Sequence, residues 1–287
     1  MDLLAAIILG IALGITEFLP ISSLGHSLVL EALLGFPHTL TDATQIQDAR
    51  TSLGLFIQGG AVLAVLVYYS RDLLAELQKI PSSPVARQFW INIIIAFVPI
   101  GVLGLIFNKQ IKQYLFAPGV VAVALIVGGV ILLLVEQFKA RSAIGTAQTV
   151  TSNTKSVEQI TPRQALLIGI AQIAALIPGV SRSGATIVGG LLVGLEREVA
   201  AKFTFYLFIP TLGAAAGYEL FNAFRNHQID SSLLPYFILA TVIGFFVSLG
   251  AIRFLLGYIS THDFRAFGVY RIVIGVLILV LLAVKII

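Results

Sequence analysis

The amino-acid sequence predicts an all-α polytopic membrane protein, an inverted-topology repeat of six spanning helices plus two re-entrant helix-loop-helix hairpins. Three observations carry this prediction. Of 287 residues, 58% are hydrophobic and 11% charged, which leaves too few solvating side chains for a water-soluble enzyme. The apolar residues fall in continuous blocks of about 18 to 22, the length a helix needs to cross hydrocarbon, whereas a membrane barrel would alternate in ~10-residue segments. Two further apolar stretches are each interrupted by a Pro/Gly/Ser loop that leaves arms too short to cross.

The elements follow in order. Met1-Asp2-Leu3-Leu4 lacks the basic region and cleavage site of a signal peptide, so the first apolar helix is expected to be retained. Residues 3–35 are interrupted by Leu19-Pro20-Ile21-Ser22-Ser23-Leu24-Gly25-His26 and read as the first hairpin. Spanning helices are expected over 52–69, 89–107 and 119–137. Residues 139–163, rich in Ser, Thr, Gln and Ala from Ser142 to Thr161, read as a polar linker. Residues 164–195, interrupted by Ile177-Pro178-Gly179-Val180-Ser181-Arg182-Ser183-Gly184, form the second hairpin, and spans follow over 203–221, 234–256 and 267–286. The expectation is one integral membrane domain over 1–287, with repeats 1–138 and 164–287.

The repeat rests on ordered pairs of similar segments at offsets near 150. Phe56-Ile57-Gln58-Gly59-Gly60 corresponds to Phe208-Ile209-Pro210-Thr211-Leu212, Ile95-Ala96 to Leu239-Ala240, and Val127-Gly128-Gly129 to Ile274-Gly275-Val276. One hairpin plus three crossings per half inverts one half relative to the other, and the two loops then meet near the midplane. Arg71, Lys79, Arg87, Lys139, Arg141, Lys155 and Arg163 fall on one side, joined by Arg197 and Lys202; the other side has Arg50, Lys109 and Lys112. The richer side is expected to be cytoplasmic, which places both termini outside. The net charge of +4 comes without a Lys/Arg run interleaved with aromatics, so no nucleic-acid partner is expected. Zero cysteines exclude disulfides and thiolate chemistry.

A few polar residues stand out against this background. Glu17 lies among apolar residues at membrane depth, where an unpartnered charge costs about 2.5 to 3.5 kcal/mol; it is expected to hold a cation, a proton or an arginine. His26 follows Ser23 by three residues, a spacing that lets an imidazole reach a hydroxyl, to take its proton or to attack phosphorus itself. Arg182 sits between Ser181 and Ser183 in a loop bounded by Gly179 and Gly184, and opens a helix whose amides favour anions. The competing structural reading is an ion pair between Glu17 and Arg182, which would itself join the hairpins. Gln58 and Gln172 read as interhelical hydrogen-bonding groups, Glu196 and Glu198 as charges at a helix start beside Arg197, and His38, His227 and His262 as loop residues. The constellation suits phosphoryl transfer on a lipid-linked phosphate.

Gly14-Ile15-Thr16-Glu17-Phe18-Leu19-Pro20-Ile21-Ser22-Ser23-Leu24-Gly25-His26 and Pro178-Gly179-Val180-Ser181-Arg182-Ser183-Gly184-Ala185-Thr186 resemble the undecaprenyl-diphosphate phosphatase family of the bacitracin-resistance type. The resemblance covers nearly the whole chain. It implies hydrolysis of undecaprenyl diphosphate to the monophosphate and inorganic phosphate in a bacterial inner membrane, with a divalent cation, Mg²⁺ or Ca²⁺. It also implies that Glu17 belongs to the acidic motif and holds the metal, that Ser23 and His26 form the catalytic pair, and that Arg182 belongs to the diphosphate-binding loop. Ser22, Gly179, Ser181, Ser183 and Gly184 are the accompanying substrate-binding positions. The family's acidic motif carries Glu or Gln four residues before its second glutamate; here that position is Leu13. A homodimer is among the expected assemblies. The alternative class is an inverted-repeat transporter or flippase of an anionic lipid phosphate, which would need Arg182 but not Ser23.

Overall fold

The computed structural model describes residues 3–37, 42–144, 154–226 and 232–286. They form eleven α-helices: α1 (Leu3–Phe18), α2 (Ser23–Leu33), α3 (Ala43–Tyr68), α4 (Ser70–Lys79), α5 (Pro84–Tyr114), α6 (Pro118–Ile144), α7 (Pro162–Gln172), α8 (Arg182–Leu192), α9 (Arg197–Arg225), α10 (Leu234–Ile259) and α11 (Arg265–Ala283). Short 3-10 turns over Val157–Gln159 and Ile173–Leu176 precede and extend α7. Six helices are long and apolar enough to cross a membrane: Gln45–Tyr68, Pro84–Phe107, Pro118–Ala140, Arg197–Ala223, Leu234–Ile259 and Arg265–Ala283. These are the six expected crossings. The chain is a multi-pass membrane protein, with large side chains such as Leu105 and Phe246 turned outward, 70% and 64% exposed, where lipid would meet them.

The polar segments beside the crossings carry helix as well. The stretch between the first two expected crossings contains α4, whose Asp72 and Lys79 sit at its first and last turns and whose Leu73 turns inward; charged and apolar residues at helical spacing make an amphipathic helix. α6 continues to Ile144, into the polar segment that starts at residue 139.

The breaks within 3–35 and 164–195 come from local chemistry. Pro20 lacks an amide hydrogen and restrains its predecessor, and α1 stops at Phe18. In both broken segments the residue before the new helix is a serine in the left-handed region, Ser22 at φ 71° and Ser181 at φ 64°. A non-glycine residue there is strained by about 1–3 kcal/mol and persists where its surroundings hold it, commonly at functional sites. Gly179, at φ 97°, sits against the α6 backbone, where a Cβ would lie 2.6 Å from the Val121 carbonyl oxygen. At 1.5 Å per residue, the 11-residue helices α2 and α8 are about 16 Å long, roughly half the hydrocarbon thickness.

Small residues set the spacing between the long helices. On α1, a Cβ added to Gly10 would lie 2.7 Å from the Ala240 carbonyl oxygen of α10, and one added to Gly14 2.8 Å from that of Gly244. The same glycine-on-alanine contact joins α7 to α5, where a Cβ added to Gly169 would lie 2.5 Å from the Ala96 carbonyl oxygen. Between α6 and α11, Gly129 faces Gly268 and Gly275 faces Ala122. Such close approach is how membrane helices gain dispersion and carbonyl contacts in the absence of a water-driven hydrophobic effect. At the end of α6, Glu136 is fully buried and accepts from Arg197 Nε at 3.0 Å and Nη2 at 2.5 Å, while the Phe264 amide donates to it at 3.2 Å. This bidentate pair ties α6 to the starts of α9 and α11.

Candidate active site

The two loops between broken helices meet. Glu17, on the last turn of α1, is 7% exposed and stands beside Phe18, whose ring packs on Phe205 and Phe208 of α9 at centroid distances of 5.4 and 5.7 Å. With that apolar wall beside it, the carboxylate turns to the other loop: Arg182 Nη2 donates to Glu17 Oε1 at 3.0 Å. Ser183 Oγ donates to the Leu19 carbonyl at 3.0 Å, so the second motif grips the first through backbone as well as charge. Ser181 caps α8, its hydroxyl accepting from the Gly184 amide at 3.1 Å and lying 3.0 Å from Ser183 Oγ. Glu17, Ser181, Arg182, Ser183 and Gly184 therefore form one cluster, with Gly179 at its edge.

The first loop delivers Ser22, Ser23 and His26 on the opening turn of α2. The expected contact between Ser23 and His26 is not made. His26 Nδ1 lies 2.8 Å from the Ser22 carbonyl oxygen and Nε2 lies 2.8 Å from Tyr270 Oη of α11. The reason is geometric. Helical side chains lean toward the N-terminus, which brings the imidazole over the carbonyl four residues back and leaves its far edge to α11. The Ser23 hydroxyl makes no hydrogen bond to any described residue.

Residues 6–277 match the family model described as bacitracin resistance protein BacA. The chain belongs to the BacA family. It is 44% identical over 285 residues to an undecaprenyl-diphosphatase of Deinococcus radiodurans, covering 99% of this chain and 96% of that protein. It is 43% identical over 277 residues to an undecaprenyl-diphosphatase of Albidiferax ferrireducens, covering 96% and 94%, and 44% identical over 274 residues to undecaprenyl-diphosphatase 1 of Paraburkholderia xenovorans, covering 96% and 93%.

In this BacA-family protein the described motif residues offer an ion one carboxylate, not a group of ligands. Glu17 is the carboxylate at the cluster and is already paired with Arg182. Leu13, one turn earlier, is 5% exposed in an apolar cluster with Leu53, Ile57 and Phe237, so the departure from the acidic motif is absorbed by packing. Among the described residues no group of three or more His, Asp or Glu side chains is placed to hold an ion.

Two BacA residues escape sequence reasoning. Arg271 of α11 is 1% exposed and faces carbonyls rather than a carboxylate: Nη1 donates to Pro20 at 3.1 Å, and Nη2 to Gly179 at 3.2 Å and Val180 at 3.1 Å. Longer contacts reach Ala124 and Leu125 of α6. The guanidinium thus binds the backbone of both loops. Gly184 and Gly128 make room for it, since a Cβ at Gly184 would lie 2.8 Å from Nη1 and one at Gly128 would overlap Nη2. The available signal was its position, an arginine five residues into the last apolar stretch, where charge is a functional pointer by default. Tyr270 carried no signal, because tyrosine near a helix end is ordinary in membranes. Among residues given lesser roles, Gln172 Nε2 reaches the Ala96 carbonyl at 3.5 Å across the α5–α7 seam, and His262 lies between α10 and α11. His38 and His227 lie outside the described residues.

Proposed function

We propose that this protein hydrolyses undecaprenyl diphosphate to undecaprenyl phosphate and inorganic phosphate, returning the lipid carrier for cell-wall synthesis. The observation that carries the reading is the junction of the two motifs through Arg182 and Glu17 at the N-terminus of α8, on a chain over 40% identical to undecaprenyl-diphosphatases along nearly all its length.

Arg182 and the first-turn amides of α8 bind the diphosphate oxygens, the guanidinium matching them in bidentate fashion. Glu17 holds that guanidinium in place before substrate arrives. Ser23 attacks the terminal phosphorus: its Oγ–P bond forms as the P–O bond to the bridging oxygen breaks, and undecaprenyl phosphate departs. His26 takes the serine proton once substrate binding brings Ser23 Oγ to Nε2, and water then hydrolyses the phosphoserine. Ser23 is favoured over His26 as nucleophile because its hydroxyl makes no hydrogen bond to a described residue, whereas His26 Nδ1 is held at the Ser22 carbonyl and its Nε2 is the base. Mg²⁺ or Ca²⁺, when present, would come with the diphosphate and be met by Glu17, and no step above is routed through it. The half-length helices α2 and α8 and the matching contacts of α1 with α10 and α7 with α5 support re-entrant hairpins in an inverted repeat. The Lys/Arg distribution supports extracytoplasmic termini.

The test is phosphate release from a long-chain polyprenyl diphosphate by purified protein in detergent, beside Arg182→Ala and Ser23→Ala. Release lost in both variants is expected. A wild type that binds the lipid and releases nothing refutes the enzyme reading in favour of a lipid-phosphate transporter.

A further inference from the structure

We infer that Tyr270 is the positioning residue of His26, and that it fixes Nε2 as the nitrogen through which His26 handles protons. The inference rests on the role given to His26 above.

The argument starts from what each partner can do. The Ser22 carbonyl only accepts, so the Nδ1 atom 2.8 Å from it carries the ring proton. In the neutral imidazole the lone pair is then on Nε2, and Nε2 lies 2.8 Å from Tyr270 Oη, with the two rings parallel to within 4°. The tautomer is settled by the loop backbone and the orientation by α11. A phenol suits this position for a reason phenylalanine does not share. Its oxygen donates to Nε2 when the imidazole is neutral, and its own proton turns away so that it accepts from Nε2–H once Nε2 has taken the serine proton. The ring can therefore gain and lose a proton without rotating, while Nδ1 stays bound to Ser22 in both states. Ser22 itself sits in the left-handed region, so the carbonyl that receives Nδ1–H belongs to the strained residue that opens α2.

The next residue along α11 strengthens the assignment. Arg271 binds the carbonyls of Pro20, Gly179 and Val180. Consecutive residues of one helix thus engage the loop backbones and the side chain of the base. Movement of α11 relative to the loops would misplace His26 together with the diphosphate cradle. Tyr270 is 41% exposed, and no hydrogen bond of its hydroxyl other than that to His26 is made with a described residue, so its hydroxyl is not committed to holding the fold.

The test is Tyr270→Phe, which keeps the ring and removes one oxygen, examined alone and with His26→Gln. Ring-nitrogen NMR of histidine-labelled protein, with His26 assigned by its loss in His26→Gln, should show the proton on Nδ1 in the wild type at a pH where the ring is neutral. In Tyr270→Phe the Nε2 resonance should move. The turnover number should fall about tenfold with KM changed little, a part of what a general base contributes. In the His26→Gln background the same substitution should change turnover less than twofold, because the two act as a unit. An unchanged His26 spectrum in Tyr270→Phe, or additive losses in the double variant, overturns the inference. Full turnover in His26→Gln, with the spectrum still responding to Tyr270→Phe, would instead remove His26 from the reaction while leaving the contact in place.

Discussion

Replacing Arg271 by methionine should disable both loops at once. The side chain reaches five carbonyls, but these are not equivalent. Ala124 and Leu125 lie inside α6, where carbonyls already accept from amides four residues on, so their loss costs little. Pro20, Gly179 and Val180 are in the loops, and each deprived of its donor costs about 1–3 kcal/mol, a gross loss of roughly 3 to 9. Methionine also relieves the desolvation of a buried guanidinium, worth several kcal/mol, so the net loss of stability should be about 3 kcal/mol. The effect on turnover should be larger in proportion. A displacement of about 1 Å can cost a hundredfold in rate, and here both Ser23 and Arg182 hang from the freed loops. Arg271→Lys keeps the charge but cannot span carbonyls on both sides of a planar fork, and should recover less than a tenth of the lost activity. The assay is phosphate release beside an SDS or thermal unfolding curve in the same detergent. An Arg271→Met protein that unfolds with the wild type and keeps its rate within threefold would refute the argument that the guanidinium holds the loops.

Further expectations follow from other parts of the structure. Quenching wild-type protein during turnover should trap an acid-stable phosphoserine at Ser23; an acid-labile phosphohistidine at His26 would reverse the assignment of nucleophile. Gly179→Ala combines a left-handed backbone, about 1–2 kcal/mol, with a Cβ driven against α6, about 1–3 kcal/mol, and should lower stability by roughly 2 to 5 kcal/mol in the same unfolding assay. Glu136→Gln leaves Arg197, which is partly screened, without its carboxylate and should cost about 2 kcal/mol of stability with KM unchanged. Because the described residues offer one paired carboxylate where the two loops meet, rather than a cage, calorimetric titration of Mg²⁺ or Ca²⁺ into substrate-free protein should show no saturable heat, even if EDTA suppresses phosphate release. Saturable binding without substrate would mean that the ion has a resident site.

The crossings were legible because a bilayer imposes one length on them, and continuous apolar blocks of that length are hard to mistake. The broken helices were legible for a related reason: Pro20, Pro178 and Gly179 fall in Pro/Gly/Ser segments and stop helices there, whereas Pro99 and Pro210 stand alone among apolar residues and are carried within α5 and α9. The Glu17–Arg182 ion pair was visible as an alternative, since two opposite charges at one depth seek each other. What sequence spacing could not settle was competition. Ser23 and His26 are close enough to pair, yet the Ser22 carbonyl and Tyr270 take both nitrogens, and a partner 244 residues away leaves no local trace. Arg271 and Glu136 were hidden by averaging, because a window that finds a spanning helix dilutes the single charge within it. The helix α4 was lost to the opposite error, its charges outweighing the spacing of its apolar face.

The seams between α1 and α10, α5 and α7, and α6 and α11 bring backbone against backbone, with glycine and alanine at the points of closest approach. A door in a membrane protein opens where side chains can swing aside, and at most of the closest points of these seams the contact is backbone on backbone. Parting such helices would forfeit contact along whole turns, so a tail of many isoprene units does not thread through them. Gaps between other neighbours offer the polyprenyl chain more room. One such gap is on view, a hollow of about 110 Å³ lined by Ile131 and Leu132 of α6, Ala171 of α7 and Ala185 and Val188 of α8, which reaches Gly184 and Arg271. The closeness of the three seams therefore favours a path for lipid beside the paired helices over one between them.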